Sequence, residues 1–124
     1  MIKEEELTGT ILKCAYAVHS ELGPGLFEKV YEECLFYELT ESGLSVEKQI
    51  ELPVKYKGIE IDAGYRIDLL VEEIVIIELK SVKELIDIHT AQLLTYMKLS
   101  DIEIGFLMNF NVKSLKDGIR RYIL

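Results

Sequence analysis

The sequence is poor in the residues and segments that mark several large classes of protein. Its two cysteines, Cys14 and Cys34, lack CxxC spacing, and its two histidines do not cluster with them, so no zinc site is indicated. No apolar run approaches the ~20 residues of a membrane-spanning helix, and the acidic start MIKEEELTG lacks the apolar run of a signal peptide. The sequence therefore predicts a cytoplasmic protein that has reduced, buried cysteines and no membrane partner.

Several motifs of common enzyme classes are also missing, and positive charge is scarce. There is no GxxxxGK[ST] loop, Gly-x-Ser-x-Gly elbow or GxGxxG turn, so an NTPase, a serine hydrolase and a dinucleotide-binding enzyme have no support. The net charge of −8 argues against nucleic-acid binding by charge alone. Four basic residues near the end of the chain form either a local basic patch or a solvated tail: Lys113, Lys116, Arg120 and Arg121.

What the chain does have is enough length and apolar content for one domain over residues 1–124. Its 124 residues are 49% hydrophobic and 29% charged, which is ordinary for a globular chain that buries a core without staples. Apolar spacing and turn residues predict helices at Thr8–Leu22, with Thr8 as N-cap, at Leu26–Ser42, closed by Gly43, and at Ile88–Leu99. Strands are predicted at Val46–Tyr56, Ile59–Ile61, Ile104–Asn109 and Ile119–Ile123.

The most informative stretch is residues 65–80, YRIDLLVEEIVIIELK, which predicts two short strands joined by a polar turn, Glu72–Glu73. The flanks are so apolar that both strands should be central and covered on both sides. Alternation puts Asp68 on one of these strands, and Glu78 and Lys80 together on one face of the other. A buried carboxylate without a partner is costly or takes up a proton. The two carboxylates and the lysine therefore either satisfy one another or hold a divalent cation.

Glu28 is a further candidate, because it lies three residues from both Gly25 and Tyr31 at the start of the second predicted helix. Residues three apart are neighbours on a helix surface, so Glu28 should lie beside Tyr31. Its carboxylate either joins those of the hairpin or is a first-turn acid that the helix dipole favours. Glu32 and Glu33 are expected to point to water.

These segments carry a resemblance to a known family. The spacing of Asp68, Glu78 and Lys80 resembles the signature of the PD-(D/E)xK nuclease superfamily, with Ile67 in the place of its proline. GLFEKVY resembles the motif of the GxxExxY protein family, which is classed with these nucleases, and VHSELGPG, YRIDLLV, IIELKSV, HTAQLLTYMKL and GFLMNFNV resemble it too. The implied fold is an α/β (α+β) single domain: an αβββαβ core with an extra N-terminal helix and a mixed central sheet flanked by helices. The predicted element order agrees with it.

The resemblance implies a metal-dependent nuclease that hydrolyses phosphodiester bonds of DNA or RNA. Mg²⁺ or Mn²⁺ prefers oxygen ligands, and one or two carboxylates suffice. The expected metal ligands are Asp68, Glu78, the backbone carbonyl of Leu79 and Glu28. The expected catalytic residues are Asp68, Glu78, Lys80, Glu28 and Gln92, with Lys80 orienting or deprotonating water and stabilising developing charge.

Several alternatives stay open at this point. Gln92 is either a residue near the metal, as the resemblance implies, or a surface glutamine packed on Tyr96, and His89 is either a helix-start residue or a ligand. The whole chain is either a nuclease or a nuclease-fold module that binds nucleic acid or a partner protein without cutting. A purely structural ion-pair cluster is a third interpretation. A homodimer is expected only by analogy, because small nucleases of this fold often act in pairs.

Overall fold

The computed structural model describes residues 4–124, and its helices and strands follow the predicted order. The helices are α1 (Glu4–Leu22), α2 (Glu28–Glu41) and α3 (Asp87–Ser100), with a single 3₁₀ turn at Leu115–Gly118. The strands are β1 (Val46–Glu51), β2 (Val54–Tyr56), β3 (Ile59–Ile61), β4 (Arg66–Val71), β5 (Val75–Lys80), β6 (Ile104–Asn109) and β7 (Ile119–Ile123).

Five strands form a mixed sheet in the order β1-β4-β5-β6-β7, and β2 pairs with β3 in a separate two-stranded sheet. The β5–β6 pair is parallel, and the other pairs are antiparallel. The parallel pair needs a crossover, and α3 supplies it. The expected mixed central sheet is confirmed, with β5 as its middle strand and β4 beside it, so both strands of the predicted hairpin lie inside the sheet.

Helices cover both faces of this sheet. Residues of α1 and α2 share one buried cluster with alternate residues of the sheet, such as Leu69 and Ile77. Residues of α3 share a second cluster with Ile76 and Leu107 on the other face. Gly105 in β6 lets α3 approach closely, since a Cβ atom there would lie 2.6 Å from the Sδ atom of Met97. Among the helices of residues 4–124, none combines the length and hydropathy that a membrane crossing requires.

Helix boundaries differ from the prediction mainly at N-termini. Thr8 is not an N-cap, because α1 already includes Glu4, and the Thr8 hydroxyl instead donates to the Glu5 carbonyl inside the helix at 3.3 Å. The second helix begins at Glu28, two residues later than predicted. Gly43 does end this helix: it has a φ of +85°, and its N–H donates to the carbonyl of Thr40.

The predicted strand Val46–Tyr56 is in fact two strands, β1 and β2. Leu52 follows the end of β1, with its side chain buried and its N–H donating to the carbonyl of Tyr65, just before β4, at 2.9 Å. Pro53, which has no N–H to offer a ladder, follows directly. After this break β2 pairs with β3 and not with a strand of the five-stranded sheet.

Candidate active site

The site lies where the β4–β5 ladder ends. Backbone pairing between these strands runs to Leu69 and Ile77. Beyond that point, the two side-chain carboxylates accept backbone N–H groups of these strands. The N–H of Asp68 donates to Oε2 of Glu78 at 2.9 Å, and the N–H of Leu79 donates to Oδ2 of Asp68 at 2.9 Å. The hairpin therefore brings together the two acids that the sequence pattern singled out.

Both carboxylates hold protons more tightly than free side chains do. Burial, aided by the charge of Asp68, raises the pKa of Glu78 to about 8, and only 4% of Glu78 is exposed. Burial also raises the pKa of Asp68, although the Leu79 N–H and the Lys80 ammonium oppose the shift. One nearby ammonium does not offset the buried carboxylate of Glu78 and the half-buried carboxylate of Asp68, so this pair favours an added positive charge.

Strand β5 also places Lys80 in the site, where its side chain contacts α3. The Lys80 ammonium donates to Oε1 of Gln92 at 3.3 Å. Gln92 also lies beside the phenol of Tyr96, whose pKa burial and the charge of Glu78 raise to about 12. Gln92 thus contacts both Lys80 and Tyr96, which agrees with each of the two interpretations of this residue. The His89 ring accepts the N–H of Ile86 at 3.1 Å, as a helix-start residue does.

The loop before α2 is held by Tyr31, the last residue of the GLFEKVY motif. Its buried phenol donates to the Gly23 carbonyl at 2.6 Å and accepts the N–H of Leu26 at 3.1 Å. Gly25 has a φ of +101°, a conformation that favours glycine. The glycine and tyrosine of the motif therefore fix the point at which α2 begins, and with it the position of Glu28.

Glu28 itself is the exposed first residue of α2, where the helix dipole favours an acid. It also stands near enough to the carboxylate pair for its charge to help raise the pKa of Asp68. Within residues 4–124, however, no three His, Cys, Asp or Glu side chains are grouped to hold one metal ion. Glu28 is thus beside the pair of Asp68 and Glu78 but is not gathered with it.

The structure contradicts the expectation that Glu32 points to water. Glu32 is only 5% exposed, and its Oε1 accepts the side-chain amide of Gln49 at 2.6 Å. The same amide lies 3.4 Å from Oδ1 of Asp68. Glu32 follows Glu28 by one helical turn, and this i,i+4 spacing was the sequence signal that both acids share a stripe. Glu33 does face water, where it pairs with a lysine of β1.

Gln49 is a second residue that sequence reasoning missed. It lies opposite Asp68 but is left out of the β1–β4 register, and its φ of +53° is unusual for a residue other than glycine. Burial raises the pKa of Glu32, the bond from Gln49 opposes that shift, and the charge of Asp68 adds to it. A third carboxylate, that of Glu32, is therefore held by Gln49 next to the pair of Asp68 and Glu78.

The donor atoms of this site suit a hard divalent cation. Each acid of the pair uses one oxygen for a backbone N–H, so the second oxygen of each, Oε1 of Glu78 and Oδ1 of Asp68 beside the Gln49 amide, can accept a ligand. The N–H and C=O of a strand residue point to the same neighbouring strand. Because the Leu79 N–H points to Asp68, the Leu79 carbonyl also faces the gap where the ladder has ended. Carboxylate and carbonyl oxygens are the ligands that Mg²⁺ and Mn²⁺ prefer.

Comparison with models of protein families gives a match over nearly the whole chain. The model of a family described as the PD-(D/E)XK nuclease superfamily matches residues 5–122. No curated protein and no solved structure matches the chain.

Proposed function

The chain belongs to the PD-(D/E)XK nuclease superfamily, and from this premise we propose that it is a divalent-metal-dependent nuclease acting on DNA or RNA. The observation that carries the proposal is the pair of Asp68 and Glu78, each fixed by a backbone N–H at 2.9 Å. Superfamily membership makes nuclease activity the leading function. The metal, the substrate and the residue roles below are parts of the proposal.

Asp68, Glu78 and the carbonyl of Leu79 are the proposed ligands of Mg²⁺ or Mn²⁺. A divalent cation would supply charge neutralisation and a more acidic water for phosphodiester cleavage. Glu28 and Glu32 are proposed to add negative charge around the pair, and Glu28 is free at the surface to bind a cation directly or through water. The raised pKa of Glu78 supports this assignment, because the burial and the nearby charge of Asp68 that favour a bound proton also favour a bound cation.

Lys80 is the proposed residue that acts on water and phosphate. Its ammonium is held by Gln92, which keeps it beside the carboxylates without neutralising it. From there the ammonium can orient the attacking water and stabilise negative charge that develops on phosphate oxygens, and the neutral amine can take a proton from that water. Gln92 is proposed to position Lys80, and thereby the water.

A second candidate function is a nuclease-fold module that binds nucleic acid or a partner protein without cutting. The net charge of −8 favours such a module with a protein partner, because phosphate contacts by Lys and Arg dominate the affinity for nucleic acids. The presence of the whole set Asp68, Glu78 and Lys80 at the end of one hairpin favours the nuclease. Cleavage assays separate the two functions.

Four finer expectations also remain proposals. Membership in the GxxExxY family rests on the motif and on the structural roles of its Gly25 and Tyr31. One domain over residues 1–124, a homodimer and a cytoplasmic location rest on sequence and analogy. Sedimentation velocity of the purified chain tests the homodimer, and a single cooperative unfolding transition supports one domain.

The test of the proposed function is cleavage of labelled single-stranded and double-stranded DNA and RNA with Mg²⁺ or Mn²⁺. Wild type should cut at least one substrate, and EDTA should stop it. Asp68→Asn keeps the shape of the side chain and should abolish cleavage and weaken Mn²⁺ binding in calorimetry. Asp62→Asn, at an exposed acid before β4, is the matched control and should change neither. Absence of cleavage on every substrate would favour the binding module.

A further inference from the structure

A pocket of about 480 Å³ lies directly beside the candidate active site. Its wall consists of one side of α3 together with residues at the start of β2 and just before β4. The lining residues are Val54, Tyr65, Ile88, Ala91, Gln92, Thr95, Tyr96 and Leu99. None of them is charged, although 29% of the chain is, so a polyanion meets no carboxylate on this wall.

The pocket and the carboxylate site share two side chains. Gln92 lines the pocket and accepts the Lys80 ammonium at 3.3 Å. Tyr96 also lines it, and its phenol is close enough to Glu78 for that carboxylate to raise its pKa. A group that enters the pocket is therefore next to the residues proposed to act on a phosphodiester.

Two tyrosine rings give this pocket its chemical character. The ring centroids of Tyr65 and Tyr96 are 6.0 Å apart, with their planes inclined at 58°. Tyr96 is buried, whereas 45% of Tyr65 remains exposed, so part of the Tyr65 side chain is accessible to a ligand in the pocket. Open aromatic faces bind single-stranded nucleic acids because every base can stack on them, whatever its sequence.

We propose that this pocket binds an unstacked nucleobase, so that the substrate is a single strand or an unpaired end and not an intact duplex. The inference rests on the proposed nuclease function and names its substrate class. A chain with a net charge of −8 is poorly suited to grip a duplex through phosphates alone, whereas stacking needs no positive charge. Bases within a duplex are not open to such a pocket unless they are flipped out.

Binding of a short single-stranded thymidine oligonucleotide with one central 2-aminopurine tests the inference. Stacking quenches 2-aminopurine fluorescence, and Ca²⁺ in place of Mg²⁺ screens the carboxylates while gel analysis confirms that the strand stays intact. Wild type should quench the single strand and bind the matching duplex at least tenfold more weakly. Tyr65→Ala should weaken single-strand binding by about five- to a hundredfold, the range for loss of one base–aromatic stack.

Three further variants make the test specific. Tyr65→Phe keeps the ring and should bind like wild type. Ala91→Leu, at an exposed helix position, fills the pocket without touching the core and should weaken binding as Tyr65→Ala does. Tyr37→Ala removes a 60% exposed tyrosine from the other side of the protein and should have no effect.

The outcomes distinguish this inference from the nuclease proposal. If wild type quenches the strand but cuts nothing in Mn²⁺, the pocket stands and the nuclease fails. If wild type cuts a duplex as fast as a single strand, and Tyr65→Ala changes neither binding nor cleavage, the pocket inference is overturned and the nuclease stands. A strand that fails to bind at all overturns the inference too, and a protein segment then becomes the better occupant of the pocket.

Discussion

The side-chain amide of Gln49 donates to Oε1 of Glu32 at 2.6 Å and lies 3.4 Å from Oδ1 of Asp68, so it links α2 to β4 through β1. Gln49 makes these contacts from a left-handed backbone conformation, φ +53°. Such a conformation costs on the order of 1–3 kcal/mol in a residue other than glycine and persists where the surroundings hold it. Strain of this kind clusters at functional sites, which motivates a test of Gln49 as a positioning residue.

Gln49→Gly should separate stability from activity. Glycine relieves the left-handed strain but loses the two side-chain contacts, so the free energy of unfolding should stay within about 1 kcal/mol of wild type. Cleavage and Mn²⁺ affinity should fall by about 10- to 100-fold, as for other residues that orient metal ligands. Urea denaturation and the cleavage assay measure the two quantities.

Asp101→Gly is the matched control for that variant. Asp101 also has a left-handed conformation, φ +59°, but it caps the C-terminus of α3. Its replacement should leave cleavage unchanged. If Gln49→Gly cuts as well as Asp101→Gly does, Gln49 has only a structural part.

Charge removal at Glu32 should reveal whether it belongs to the carboxylate site. Glu32→Gln keeps an acceptor for Gln49 and removes a negative charge beside Asp68 and Glu78. The metal-free protein should therefore become more stable, and Mn²⁺ binding should weaken by a few fold to tenfold. Denaturation in EDTA and calorimetry are the measurements.

Variants of two neighbouring acids, Glu33 and Glu28, serve as comparisons for Glu32→Gln. Glu33→Gln loses exposed ion pairs with Lys29 and Lys48 and should change stability little, without an effect on Mn²⁺ binding. Glu28→Gln should weaken Mn²⁺ binding if Glu28 contributes to the site. A Glu28 variant that matches the Glu33 variant would support the helix-dipole interpretation instead.

Sequence patterns identified the site residues whose positions depend on local structure. They missed the residues whose positions depend on packing between elements. Strand alternation and the polar turn were enough to identify Asp68 and Glu78, because both acids lie on one hairpin. The burial of Glu32 depends on how α2 sits against β1, which no single-helix pattern contains. The conformation of Gln49 is likewise invisible in sequence, since glutamine has no intrinsic preference for a positive φ.

The raised pKa values predict how the stability of the metal-free protein depends on pH. The pKa of Glu78 rises from an ordinary 4.5 to about 8 on folding, so between these values the folded state keeps a proton that the unfolded state has lost. Stability must then fall as pH rises across this window, by up to about 1.4 kcal/mol per unit of pKa difference. Asp68, with its pKa also raised, contributes in the same direction.

Denaturation in EDTA at several values between about pH 5 and pH 8 measures this slope. Glu78→Gln should flatten it, whereas Glu33→Gln, an exposed acid, should leave it as in wild type. Mn²⁺ affinity of wild type should rise over the same window, because the cation binds the deprotonated carboxylates. Stability that increases with pH in the metal-free protein would contradict the assigned direction of the shift.

Lys80→Met separates the enzyme from the binding module. Methionine keeps most of the stem and removes the ammonium that Gln92 holds beside the carboxylates. If Lys80 stabilises charge on the phosphate or activates water, Mn²⁺-dependent cleavage should fall by about 10²- to 10³-fold, the scale for loss of one electrostatic contact to a transition state. Mn²⁺ binding should persist or tighten, because a nearby positive charge has gone.

Lys48→Met is the control for this variant: it removes an exposed ammonium from β1 and should leave cleavage unchanged. A Lys80 variant that retains full cleavage would exclude a catalytic role for this lysine. If wild type cuts nothing, and Lys80→Met binds single-stranded DNA as wild type does, the binding module becomes the better account of the chain.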